Sequence, residues 1–256
     1  MPSDSYRLWY YDLVMIEAFD LSKSFRNVRA LDALSFTARD GSVTALLGRN
    51  GAGKSTTLRI LYTVMRPDSG NARIDGFDTV SEMRLVQQRI GALVDTRGLY
   101  PRLTAREHVE YFGRLHGLTG SKLSSMIDEL IETLDMDEFA DRRARGFSKG
   151  QSLKVALARA MIHKPKNLLL DEPTSGLDIA GNRAVRELIC KVRDGGGCVL
   201  FCSHSMTEVN ALADQIVIIS HGRTAAAASP DELRSKTGTD DLEEVFLALT
   251  GETADG

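Results

Sequence analysis

The chain has 256 residues, a formal net charge of −3 and 43% hydrophobic residues. That length suits one large domain, or one domain with a subdomain, and that composition can bury a substantial core. The charge balance gives no general basic field for gripping nucleic acid, and no run of about 18 apolar residues exists to span a membrane.

Residues 1–14, MPSDSYRLWYYDLV, are rich in aromatics but lack both the basic start and the apolar core of a signal peptide. They read as a flexible tail, possible even ahead of the true start, with the first convincing strand beginning at Met15. Segments near 16–22 and 34–38 read as strands; Leu34, Phe36 and Ala38 alternate with Ser35 and Thr37. Val43–Leu47 is a short apolar strand that runs into a glycine-rich turn. Leu58, Leu61, Tyr62 and Met65 then recur at helical spacing until Pro67-Asp68-Ser69-Gly70 ends that helix.

A short β segment follows around Asn71–Ile74, and from about residue 97 to 163 the pattern turns helical. Thr104 and Glu107 have the spacing of a capping box. Leu123, Met126, Ile127, Leu130, Ile131 and Leu134 form one apolar stripe. Three apolar runs come next, Leu168–Leu170, Val199–Phe201 and Ile216–Ile219, separated by polar helical stretches. That alternation predicts a parallel sheet, and the helical block reads as a subdomain inserted into it. Cys190, Cys198 and Cys202 show no zinc or redox spacing and read as buried thiols of a reducing cytosol.

Gly48-Arg49-Asn50-Gly51-Ala52-Gly53-Lys54-Ser55 fits G-x-x-x-x-G-K-[ST], follows a strand and opens a helix, which is the context a phosphate loop requires. Its glycines let the backbone wrap phosphate, and its amides and helix start, through Thr56, supply positive potential. Lys54 is expected to reach the β- and γ-phosphates and Ser55 to ligate Mg²⁺. Asp171-Glu172 ends the buried run Leu168–Leu170, where ligands of open α/β sheets sit. Asp171 is expected to hold Mg²⁺ through its water shell, and Glu172 to orient or deprotonate the attacking water.

At these residues the chain resembles the ATP-binding subunit of an ABC transporter. Phe147-Ser148-Lys149-Gly150-Gln151 resembles the family signature, usually Leu-Ser-Gly-Gly-Gln, with departures at Phe147 and Lys149. The resemblance implies that Ser148, Gly150 and Gln151 face the nucleotide held by the phosphate loop of a second subunit. The helix dipole behind them points the same way. Ser175-Gly176-Leu177-Asp178 matches the family's dimer-contact loop, and His204 its switch histidine at the γ-phosphate. The other four histidines are expected to be solvated or packing residues. Phe25, 23 residues before Gly48, lies where the family stacks an aromatic on adenine. Where the family usually has a metal-binding glutamine, this chain has Asp95, which either binds the metal directly or acts through water.

The resemblance covers residues of about 15 to 250. It implies a P-loop NTPase (RecA-like) core, with an N-terminal antiparallel β subdomain and an inserted helical subdomain, over residues 15–236. A short C-terminal helix and tail occupy 237–256. It further implies an ATPase that pairs head-to-tail with a second copy or a homologous subunit around two ATP molecules. Such a dimer would drive a separate integral membrane permease from the cytoplasmic face of the membrane. The segment 98–107 and the C-terminal helix look like the exporter group of the NatA (sodium-export) type, which includes drug, antibiotic and polysaccharide exporters. A soluble ABC-type ATPase acting on ribosomes or DNA is the alternative. It usually needs two such domains or long coiled coils, neither of which is found here.

Overall fold

The computed structural model describes residues 14–93 and 98–251. Two sheets organise it. The first is antiparallel, in the order β2-β1-β4-β5, built from β1 (Val14–Phe25), β2 (Val28–Arg39), β4 (Ser69–Ile74) and β5 (Phe77–Asp78). β1 and β2 form a hairpin much longer than the alternation at 16–22 and 34–38 predicts. Its register shifts, where Asp20 and Ala33 take positive φ, so the period-two pattern breaks while the pairing continues.

The second sheet has six strands in the order β10-β9-β3-β8-β7-β6. These are β3 (Ser42–Leu47), β6 (Ile90–Leu93), β7 (Asn167–Asp171), β8 (Cys198–Ser203), β9 (Gln215–Ser220) and β10 (Arg223–Ala228). The pairs β3–β8, β3–β9, β6–β7 and β7–β8 are parallel, and β10 closes one edge antiparallel to β9. The three apolar runs seen in the sequence are β7, β8 and β9. Both faces of this sheet are buried. Leu168, Leu170, Val199 and Phe201 enter a core shared with the helices, while Leu169, Leu200 and Cys202 enter a core shared with the antiparallel sheet. Cys198 and Cys202 are fully buried, and burial pushes both thiols well above their usual range.

The phosphate-loop helix is α1 (Lys54–Leu61), and a short α2 (Met83–Gln87) precedes β6. Between the adjacent strands β6 and β7 the chain makes a long helical excursion through α3 (Ala105–Leu115), α4 (Gly120–Thr133) and α5 (Lys149–Met161). Thr104 and Glu107 form the expected capping box on α3, and Leu123, Met126, Ile127 and Ile131 bury the stripe of α4. Gly91 on β6 passes so close to α5 that a Cβ there would fall 2.4 Å from the Ala160 carbonyl oxygen. The chain then runs through α6 (Ile179–Asp194), α7 (Met206–Leu212), α8 (Pro230–Thr237) and α9 (Leu242–Thr250). Among the described residues no helix is long and apolar enough to cross a membrane.

Candidate active site

The turn between β3 and α1 is built around backbone that only glycine accommodates. Gly53, the residue before α1, has φ 112°, and a Cβ on it would fall 2.7 Å from the Ala30 carbonyl oxygen. Gly48 abuts the carbonyl of Ile219 at 2.4 Å from its would-be Cβ. The loop is therefore wedged between the two sheets. Lys54 is buried, with its ammonium 2.5 Å from the Gly48 carbonyl oxygen and 3.1 Å from that of Arg49. A buried cation wrapped by its own loop is a focus of positive potential.

Asp171 is the last residue of β7, and it meets the Ser55 hydroxyl in a hydrogen bond. Burial raises its carboxyl pKa above the usual range; the Ser55 hydrogen bond works against that, and the adjacent Glu172 adds to it. Ser55 and Asp171 are hard oxygen donors at a point where two carboxylates crowd together. That set fits Mg²⁺, which takes one or two carboxylates plus substrate phosphates rather than a protein cage. Among the described residues no cluster of three His, Cys, Asp or Glu forms such a cage. Asp95 lies outside the described residues.

Glu172 follows in a left-handed conformation, φ 49°, fixed by its N–H donating to the Cys202 carbonyl at 3.1 Å. A non-glycine residue held there stores strain that the surrounding structure must impose. Its effect is to turn the carboxylate towards β8, where Glu172 Oε1 lies 2.8 Å from Nδ1 of His204. Beneath them Glu208, buried on α7, accepts from Thr174 Oγ1 at 2.7 Å and from Ser203 Oγ at 2.6 Å. One carboxylate thus ties the residue two after Glu172 to the residue just before His204. Sequence reasoning missed Glu208; nothing in a lone acid on a polar helix face marks it.

A cavity of about 560 Å³ runs along the loop, lined by Phe25, Asn50, Gly51, Gly53, Lys54, Ser55 and Thr56 together with Asp171 and Glu172. Phe25 ends β1 and is 42% exposed, so its ring is open to a flat ligand. Gly48, Arg49 and Asn50 line a second cavity with His204 and α9. Ala52 is packed in the core between the sheets. Ser148, Gly150 and Gln151 are elsewhere, lining a third cavity with Gly176, Leu177 and Asp178. Ser148 caps α5: its Oγ accepts from Gln151 N–H and its own N–H donates to Gln151 Oε1, each at 3.1 Å. From that turn Lys149 and Leu153 do reach the phosphate-loop cavity, Lys149 bordering both.

The segment on either side of residues 94–97 is braced. Tyr62 Oη donates to the Leu93 carbonyl at 3.0 Å. Tyr100 N–H donates to Nε2 of His108 at 2.7 Å, and His108 Nδ1 donates to the Thr104 carbonyl at 2.7 Å. Fully buried, His108 is a packing residue, as expected, but one that fixes a loop. His116 and His163 stack face to face, with ring centroids 3.7 Å apart.

Residues 31–175 match the family described as ABC transporter. The ABC transporter ATP-binding protein NatA of Bacillus subtilis is 40% identical over 91% of this chain and 97% of its own length. The daunorubicin resistance ATP-binding protein DrrA3 of Streptomyces coeruleorubidus is 36% identical over 91% of this chain and 78% of its own. Among solved structures, an ATP-binding subunit of an ABC transporter superposes with TM-score 0.85 at 27% identity, covering 92% of this chain and 99% of its own. A dimeric bacterial ABC transporter cassette gives 0.75 at 25%, covering 84% and 98%. Sequence, fold and loop geometry agree over the same stretch of chain, which belongs to the ABC transporter family as an ATP-binding, ATP-hydrolysing subunit.

Proposed function

We propose that this subunit works as a two-fold dimer in which each ATP lies between the phosphate loop of one copy and the Ser148–Gln151 turn of the other. The observation that carries this is the separation of the two features within one chain. The loop and the carboxylates share one cavity, while Ser148, Gly150 and Gln151 line another, beside the dimer-contact loop and an Ile179 that is 90% exposed. A helix start aimed outward, next to a bare isoleucine, is unfinished without a second surface. The dimeric relative of the same fold supports that arrangement.

In this reading Lys54 and the loop amides neutralise the phosphates, and the Phe25 ring stacks on the base. Ser55 and Asp171 would hold Mg²⁺, which supplies charge neutralisation at the phosphates. Glu172 takes a proton from, or orients, the water that attacks the terminal phosphate. His204 holds that carboxylate in place and stands where the terminal phosphate is expected. Bound ATP bridges the copies; its cleavage removes the bridge and lets them part.

The motion would drive a separate integral membrane permease at the cytoplasmic face, contacted through residues 98–107. A relative named as a Nod factor export ATP-binding protein, beside those named for daunorubicin resistance, supports an export direction. The alternative, a soluble ATPase on ribosomes or DNA, is not favoured by the chain's net charge of −3. Ser148→Arg tests the shared site: ATP binding to the separated subunit persists while ATPase activity is lost. Undiminished turnover in that variant contradicts the reading. ATPase rates with and without membranes carrying the permease test the transport role, with stimulation expected.

A further inference from the structure

Lys149 stands where the family's usual signature has glycine, and its placement gives it a use. It is the first residue of α5, a position where the helix macrodipole disfavours a cation and favours an anion. Among the described residues its ammonium has one hydrogen-bond partner, the neutral hydroxyl of Ser175, at 3.1 Å. Its stem lies across Gly176, where a Cβ would fall 2.6 Å from Lys149 Cδ. The side chain is exposed, and it borders both the phosphate-loop cavity and the Ser148–Gln151 cavity.

We infer that Lys149 is a second cationic contact for the shared nucleotide, parked on Ser175 in the separated subunit and transferred to the triphosphate on the partner's phosphate loop when two copies close. The inference rests on the shared-site reading above. A lysine ammonium on a flexible four-carbon stem can pivot without moving the helix that carries it. Exchanging a neutral hydroxyl acceptor for an anionic phosphate oxygen replaces a cation–dipole contact with a hydrogen-bonded ion pair, the stronger of the two. The amides of Lys149 and Gly150 precede the first intrahelical bond, Ser152 N–H to the Ser148 carbonyl, and so point towards the same anion.

The test measures the dimerisation constant in ATP and Mg²⁺ by sedimentation, in the full chain carrying Glu172→Gln to halt turnover. Adding Lys149→Gln should weaken the dimer about tenfold at low salt, equivalent to one charge-assisted contact. The gap should narrow as salt rises through screening, and Lys149→Arg should recover most of the loss. ATP affinity of the separated subunit, measured in parallel, should move less than about twofold. A Lys149→Gln dimer as tight as its parent across the salt range overturns the inference while leaving the shared site intact. An equal weakening by Lys149→Arg, or one independent of salt, also overturns it, since packing rather than charge is then responsible. If the Glu172→Gln parent binds ATP yet stays monomeric, the shared-site reading itself falls and takes the inference with it.

Discussion

Nδ1 of His204 lies 2.8 Å from Oε1 of Glu172, so the residue poised at the end of β8 and the residue poised at the end of β7 form one unit. A pair that acts as a unit shows strongly non-additive losses. His204→Ala should lower kcat about 100-fold with a smaller effect on ATP affinity. In a chain already carrying Glu172→Gln it should cost little more. Steady-state ATPase rates and ATP titrations of the three variants check this; independent, multiplying losses would contradict the pairing.

Glu208 holds that unit from below through Thr174 and Ser203. Glu208→Ala strands two hydroxyls in the interior and should destabilise the fold by about 1–3 kcal/mol in denaturant unfolding. Residual activity should fall too, because both loops lose their common anchor. Glu208→Gln keeps an acceptor and a donor, and should recover part of the stability.

Asp171 is a half-buried carboxylate beside Glu172, and burial raises its pKa. A raised folded-state value means that the group favours the fold below its unfolded pKa and that this contribution is lost as pH rises through the folded one. At neutral pH the charge is therefore a liability in the nucleotide-free subunit. Asp171→Asn should raise thermal stability while suppressing Mg²⁺-dependent turnover. A variant both active and less stable would contradict this account of the site.

His163 has its pKa pushed down to about 4, first by burial and then by the His116 ring stacked on it. A depressed value contributes stability above the unfolded pKa of about 6.5 that is lost as pH falls towards 4. Allowing for the partial exposure of the pair, the acid-side loss should be on the order of 1–2 kcal/mol. His116→Phe keeps a stacking ring but removes its charge, and should shrink that loss. Urea unfolding at pH 4.5, 5.5 and 7 measures it.

Much of the fold was legible because its signals are local. The phosphate loop, the three apolar strands and the Thr104–Glu107 cap each carry their own chemistry in a few residues. Other features depend on distant partners. The run Ala225–Ala228 has strong helix propensity, yet pairs antiparallel to β9 after a turn through His221 and Gly222. The helix α8 went unread despite a visible cue, Ser229-Pro230 with Glu232, which forms a full capping box. For the site, Lys54, Asp171 and Glu172 line one cavity because each opens a helix or lies at the end of a strand, and His204, singled out only by the family resemblance, reaches them through Glu172. The sequence held no hint of Glu208, of the Glu172–His204 bond, or of Lys149 resting on Ser175, because those contacts cross 5 to 34 positions of chain without a motif.

The central claim, that two copies complete each other's ATP site, is tested most directly by the solution mass of Glu172→Gln in ATP and Mg²⁺. The account predicts a dimer in ATP that reverts to monomer in ADP, and that fails to form when Ser148→Arg is added. A monomer that binds ATP at full occupancy, or a dimer indifferent to nucleotide and to Ser148→Arg, would contradict it.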